Sequence, residues 1–181
     1  KLALRYYLKA IELNDKNDPA WFSSGLLYWL SRDYTQSLFR VRKAIEIDGD
    51  NPDYWFTLGR VLSEIGRHEE ARQALKLATA LDPSNSEMWI YFAEYMHSHE
   101  HVDDAIRILK KGIRHNNDSA TIKYYLAAYL LEKNDENEAV GQLENALRLD
   151  FQQHTNLFHA FPKAALNDSV KKLIKAYKPL E

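Results

Sequence analysis

The chain of 181 residues has no cysteine, only six glycines, five prolines and two methionines. The missing cysteine excludes disulfides, thiol nucleophiles and cysteine-ligated zinc, although it leaves the compartment open because many exported proteins also lack disulfides. No apolar run approaches the roughly 20 residues that cross a bilayer as a helix. The opening segment, KLALRYYLKAIEL, has helical periodicity without a cleavage-like tail. Neither sign of charge dominates, since 24 basic and 26 acidic side chains leave a formal net charge of −2. That balance offers no general attraction for DNA or RNA. The sequence shows no glycine-rich phosphate loop, nucleophile elbow or helical histidine pair of a metalloprotease, so nothing specifies a catalytic constellation.

What the chain does have is a period. Trp21, Trp55 and Trp89 are spaced by 34 residues, as are Gly25, Gly59, Ala93 and Ala127. The same interval separates Ser37, Ala71, Ala105 and Ala139, and again Ala44, Ala78, Gly112 and Ala146. Fixed self-similarity of this length describes a stack of equivalent helical units. Within one period the apolar positions read as two amphipathic helices: Trp21, Gly25 and Tyr28 share one face of the first, and Ser37, Val41, Ala44 and Ile45 one face of the second.

Boundary residues agree with two helices per period. Asp18 precedes Pro19, Asn51 precedes Pro52, and Ser84 stands three residues before Glu87 as in a capping box. Helix starts are predicted near residues 19, 52, 85 and 119, and tight turns near Arg32, Gly66, Glu100 and Asn134. The glycines and alanines of the repeating columns let paired helices approach closely, and the tryptophans are expected in the core between them. Phe151 to Phe161 reads as a short helix, Pro162 starts or interrupts the next segment, and Val170, Leu173, Ile174 and Tyr177 form a last apolar stripe capped by Asn167 or Asp168. Lys171, Lys172, Lys175 and Lys178 lie on the reverse of that stripe.

On these columns the chain resembles the tetratricopeptide repeat family. The second unit carries the resemblance most fully, through Trp55, Leu58-Gly59, Leu62, Gly66, Ala71, Leu75, Ala78 and Asp82-Pro83. Four units match: Asp18 to Asn51, Pro52 to Asn85, Ser86 to Ser119 and Ala120 to Gln153. Lys1 to Asn17 fits the second helix of a truncated repeat, with Ala3, Tyr7, Ala10 and Leu13 in its columns, and residues 154–181 fit a C-terminal helical cap. The half-unit leads us to expect a fragment of a longer protein. In the fourth unit Lys123 replaces the aromatic and Ala127 the glycine, which puts its local packing in question. The resemblance implies an all-α fold, an α-solenoid in which antiparallel helix pairs form a right-handed superhelix. It also implies that the first helix of each unit lines a concave face, that this face holds a protein or peptide, and that no cofactor takes part.

Family geometry then assigns the concave positions. They are Phe22, Leu26, Trp29 and Leu30 in the first unit and Phe56, Arg60, Ser63 and Glu64 in the second. In the third they are Glu87, Ile90, Glu94, His97 and Ser98, and in the fourth Tyr124, Ala128 and Leu131. Phe22, Trp29 and Phe56 are candidates for apolar anchoring. Glu64, Glu87 and Glu94 are candidates for orienting a basic group of the partner. The aromatic column also fits packing against a further unit upstream, and the glutamates also fit ordinary solvated helix positions. A carboxylate clamp of the chaperone-adaptor kind is disfavoured, because Phe22, Leu26, Thr57, Glu87 and Tyr91 stand where that family branch places Lys, Asn and Arg.

The remaining chemistry is sparse. His97, His99 and His101 are two residues apart across a helix-to-turn junction, which suits a solvated turn better than the one-turn ligand spacing of a helical metal site. Asn117-Asp118-Ser119 and Asn167-Asp168-Ser169 match glycosylation sequons without showing secretion. The reading that results is a noncatalytic interaction scaffold whose partner has apolar anchors and basic side chains, with no nucleic acid, no direct membrane insertion, no metal and no cofactor. Two alternatives stay open: a homo-oligomerisation module using the repeat ends or the final helix, and a substrate-selection arm for a catalytic domain outside this sequence.

Overall fold

Residues 2–178 are described by a computed structural model, and every regular element among them is helical. A first compact unit, ending at Asp82, holds α1 (Leu2–Leu13), α2 (Asp18–Leu30), α3 (Tyr34–Ile47), α4 (Pro52–Glu64) and α5 (His68–Leu81). A second, from Pro83, holds α6 (Ser86–Ser98), α7 (Val102–His115), α8 (Ala120–Glu132), α9 (Glu136–Leu149), α10 (Thr155–Ala160) and α11 (Asp168–Tyr177). Short 3₁₀ turns at Phe151–His154 and Pro162–Leu166 flank α10. The dominant packing partners are α2 with α3, α4 with α5, α6 with α7 and α8 with α9.

The period recurs in the helix ends. Asn17, Asn51, Asn85 and Ser119 each accept a backbone N–H of the first turn of α2, α4, α6 and α8, a contact typically worth about 1 kcal/mol. The cap of α6 is therefore Asn85 and not Ser84: the Asn85 Oδ1 takes the N–H groups of Glu87 and Met88 at 3.1 and 3.3 Å, so Glu87 is too near the cap to close a capping box. Asp33 and Asp135 cap α3 and α9 through their side chains, whereas Arg67 and His101 occupy the same place before α5 and α7 without a side-chain cap.

Between paired helices the chain reverses through a left-handed residue, with φ of 60° at Arg32, 73° at Gly66, 65° at Glu100 and 60° at Asn134. The following N–H groups bond backwards in one pattern, Asp33 to Tyr28 O, Arg67 to Leu62 O, His101 to Met96 O and Asp135 to Leu130 O. These are Schellman closures, which satisfy carbonyls that the helix end leaves open.

Three glycines set how closely the pairs approach, and at Gly25 an added Cβ would lie 2.9 Å from Val41 Cγ2. A Cβ on Gly59 would lie 2.7 Å from Leu75 Cγ, and one on Gly112 would lie 2.9 Å from Trp89 Cγ. The tryptophan column is less buried than expected, since Trp89 is buried but Trp21 and Trp55 only half so. Their common role is polar as well as apolar: the indole N–H donates to the carbonyl six residues upstream, Asp15 at 2.8 Å, Gly49 at 2.7 Å and Pro83 at 2.9 Å. Each ring thus pins the loop before its helix.

The two ends differ. α1 packs on α2 yet has no buried residue, and Leu13, expected in its inner column, is exposed. α8 is buried from Ile122 through Leu131, because α6, α7, α9 and α10 all pack against it.

Candidate functional site

In the first unit α2 and α4 are the leading helices of successive pairs, and their aromatic residues meet. The Phe22 ring lies 4.5 Å from that of Tyr54. Tyr54 is buried and its hydroxyl donates to Asp18 Oδ2 at 2.7 Å; burial, then Asp18, pushes its pKa well up. Further along, the Arg60 guanidinium carbon sits 4.3 Å from the Trp29 ring centre and 5.6 Å from that of Phe56. Phe56 is 9% exposed and forms the floor, while Phe22, Leu26 and Trp29 are half-buried and available from outside. Leu30 is exposed at the end of α2. Glu64, one turn beyond Arg60, accepts a hydrogen bond from the Tyr34 hydroxyl at 3.2 Å. The structure thus joins Trp29, Phe56 and Arg60 into one stack, with Phe22 beside Tyr54 and Glu64 at the α3 side.

Such a stack holds a cation in a fixed place. A guanidinium over an indole gains about 0.5–1 kcal/mol at an exposed site and more when desolvated, which favours this placement of Arg60. The surrounding rings offer contact area at little entropy cost.

In the second unit Glu87 is exposed on α6, and Ile90 and Glu94 are half-buried. Tyr124 does not belong to this surface. It is 0% exposed and its hydroxyl donates to the Asp150 carbonyl at 2.8 Å, while Ala128 and Leu131 of the same expected column are buried too. Its helix is enclosed because the chain after Asp150 turns through Phe151–His154 and sends α10 back onto α8.

The α8 residues that face Glu94 are Tyr125 and Tyr129. Burial first, and the Glu94 carboxylate next, hold both phenol pKa values well above normal. The His97 ring stacks on Tyr129 with centres 4.4 Å apart and an interplanar angle of 6°, and its Nε2 is 2.6 Å from Glu132 Oε2. Glu94, Glu132, Tyr125 and Tyr129 therefore make an acidic, aromatic-backed surface. Tyr125, Tyr129 and Glu132 were outside the sequence-derived set. Tyr91 with Tyr125 and Tyr95 with Tyr129 keep the 34-residue interval, a signal that was available.

The histidine-rich turn is dispersed. His97 turns to Glu132, while His99 Nδ1 lies 2.7 Å from the Tyr95 carbonyl. Among the described residues no three potential ligands are grouped to hold a metal ion, and no helix is long and apolar enough to cross a membrane.

A family model described as the cytochrome c-type biogenesis protein H TPR domain matches residues 29–156. No curated protein matches the chain. Among solved structures, a MamA crystal structure is similar with a TM-score of 0.70 and 19% identity over 84% of this chain and 89% of that one. YrrB, described as a TPR protein with an unusual peptide-binding site, gives 0.65 and 22% over 87% and 80%. PilF of Pseudomonas aeruginosa gives 0.63 and 18% over 92% and 79%. At these identities the likeness is one of fold, an α-solenoid of stacked helix pairs.

Proposed function

The chain belongs to the TPR domain family of cytochrome c-type biogenesis protein H, and from that premise we propose that it is a noncatalytic scaffold that holds a protein or an extended peptide on the leading helices of its pairs. The observation that supports this most is the ordered stack of Arg60 on Trp29 and Phe56, beside the half-buried Phe22 and Leu26. A preformed aromatic surface with a fixed cation lowers the ordering cost of capture. In this reading the first unit takes an apolar anchor of the partner, with Arg60 and Glu64 orienting the polar groups around it. The second unit, through Glu87, Glu94 and Ile90, takes a basic side chain, and Tyr125 backs it in the place first assigned to Tyr124.

The test is selection of binders from a displayed random-peptide library on the full chain, followed by titration of Trp29→Ala, Arg60→Ala and Glu94→Gln. Truncation of a central aromatic or arginine anchor typically costs 2 kcal/mol or more, so the first two variants should weaken first-unit ligands about 30-fold. Glu94→Gln should weaken only ligands bearing Lys or Arg. Unchanged affinities in variants that keep wild-type helicity would refute this placement.

The apolar stripe of α11 is already committed inside the second unit. Val170 is buried, Leu173 and Ile174 are half-buried, and Arg148 Nε donates to the Tyr177 hydroxyl at 2.9 Å.

A further inference from the structure

The opposite face of α11 is a different kind of surface. Residues 163–178 contain five lysines and a single acid, Asp168, a net charge of +4 in a chain whose total is −2. The apolar side chains of α11 turn toward α9, so Lys171, Lys172 and Lys175 are left exposed together, with Lys163 exposed in the preceding 3₁₀ turn. Lys171 Nζ lies 3.3 Å from Asp168 Oδ1 and donates to the Leu166 carbonyl at 3.3 Å. Lys163, Lys172 and Lys175 have no ion-pair or hydrogen-bond partner among the described residues.

That bond from Lys171 places the basic face directly beside Leu166, which is 77% exposed. Ala165 is exposed next to it. An apolar tip next to a face with a net excess of lysines suits a boundary that is apolar beneath and negatively charged above. The residue type narrows the ligand further. All five cations are lysines, compact and strongly hydrated point charges, with none of the planar forks that grip a single carboxylate or phosphate in two places. A diffuse field of negative charge needs no such fork, so point charges suffice for it.

We infer that this face, Leu166 with Lys163, Lys171, Lys172 and Lys175, docks peripherally on an anionic lipid surface. Leu166 enters the headgroup boundary and the lysines meet the headgroups around it. The contact uses none of the residues proposed to hold a peptide. Each lysine near an anionic bilayer strengthens binding about five-fold, and the attraction falls off within a Debye length, so it is lost at high salt.

The experiment is co-sedimentation of the full chain with vesicles of phosphatidylcholine alone and of phosphatidylcholine mixed equally with phosphatidylserine, at low and high salt. Binding only to the mixed vesicles, released by salt, is the expected result. Lys163→Gln, Lys172→Gln and Lys175→Gln combined should weaken it about 100-fold, and Leu166→Ser several-fold with the salt dependence kept. Trp29→Ala should leave it unchanged, which separates this surface from the peptide site. No phosphatidylserine-dependent binding, or full binding by the triple variant with wild-type helicity, overturns the inference. So does capture of soluble polyglutamate without binding to vesicles, which would assign the face to an acidic polypeptide.

Discussion

Lys123 Nζ lies 3.3 Å from Asn117 Oδ1, so in the fourth helix pair an ammonium reaches a residue six positions upstream, as the indole N–H of Trp21, Trp55 and Trp89 does in the other three. The loop before the helix stays tied, but the donor is now a charge on a residue that is 5% exposed. Burial lowers the Lys123 pKa from the usual 10.5, with Asp118 acting in the opposite direction. Because the folded pKa is the lower one, the unfolded chain binds more protons between that pKa and 10.5, and stability must rise with pH through this window. Lys123→Met should be more stable than wild type at neutral pH by about 1 kcal/mol. The difference should shrink as pH approaches 10.5, where the lysine is increasingly neutral in both states. Denaturant titrations of both proteins across that range decide it, and a difference that grows with pH contradicts the account.

Ser37 tests a defect in an otherwise uniform column. It is fully buried and its Oγ has no hydrogen-bond partner among the described residues, while Ala71, Ala105 and Ala139 fill the equivalent places. An unsatisfied buried hydroxyl costs about 1–3 kcal/mol. Ser37→Ala should therefore stabilise the first unit by about 1 kcal/mol, read as a shift in denaturation midpoint at constant slope. Destabilisation would mean that the hydroxyl is satisfied.

Two glycine-to-alanine changes should have opposite signs. At Gly141, in α9 and exposed, an added Cβ would meet nothing within 4 Å among the described residues beyond its own helix turn, so helix propensity alone applies and Gly141→Ala should stabilise by about 1 kcal/mol. At Gly59 the new methyl would meet Leu75 Cγ at 2.7 Å, Leu75 Cδ2 at 2.8 Å and the Ala71 carbonyl oxygen at 3.3 Å. Overpacking costs about 1–3 kcal/mol, more than the propensity gain, so Gly59→Ala should be destabilising. Thermal melts of the two variants side by side give the comparison, and a stabilised Gly59→Ala would show that α4 and α5 can move apart at little cost.

The four reversal turns predict a ranking. A left-handed conformation costs a residue with a Cβ roughly 1–2 kcal/mol, and Asn tolerates it better than Arg or Glu. Arg32→Gly and Glu100→Gly should each stabilise by roughly 0.5–1 kcal/mol after glycine's greater unfolded-state entropy is subtracted, with φ of 60° and 65° at these positions. Asn134→Gly should gain least and Gly66→Ala should lose stability. Chemical denaturation of the four variants checks the order.

Local chemistry accounts for what the sequence determined. Helix starts, reversal turns and the pairing of α2 with α3 or α4 with α5 depend on side chains three or four positions apart and on capping groups within one turn of the helix end, and such relationships repeat wherever the 34-residue columns repeat. Even there the spacing of Ser84 and Glu87 pointed to the wrong cap, and only the backbone path shows that the side-chain Oδ1 of Asn85 reaches the first turn of α6. The first-unit candidates Phe22, Leu26, Trp29, Phe56 and Arg60 were legible because they are phased on leading helices, although the stacking of Arg60 on Trp29 joins residues from two helices and needed the fold.

Tertiary structure alone decided the second-unit face. Phe22, Phe56, Ile90 and Tyr124 occupy one column by period, yet Tyr124 is sealed by a segment that departs from the period after Asp150 and folds back as α10. Likewise Glu132, a residue outside the family columns, becomes the partner of His97 only because α6 and α8 pack together. Periodicity reports which side of a helix is apolar. It does not report which later segment covers that side, because that contact is made between residues whose separation follows no repeat.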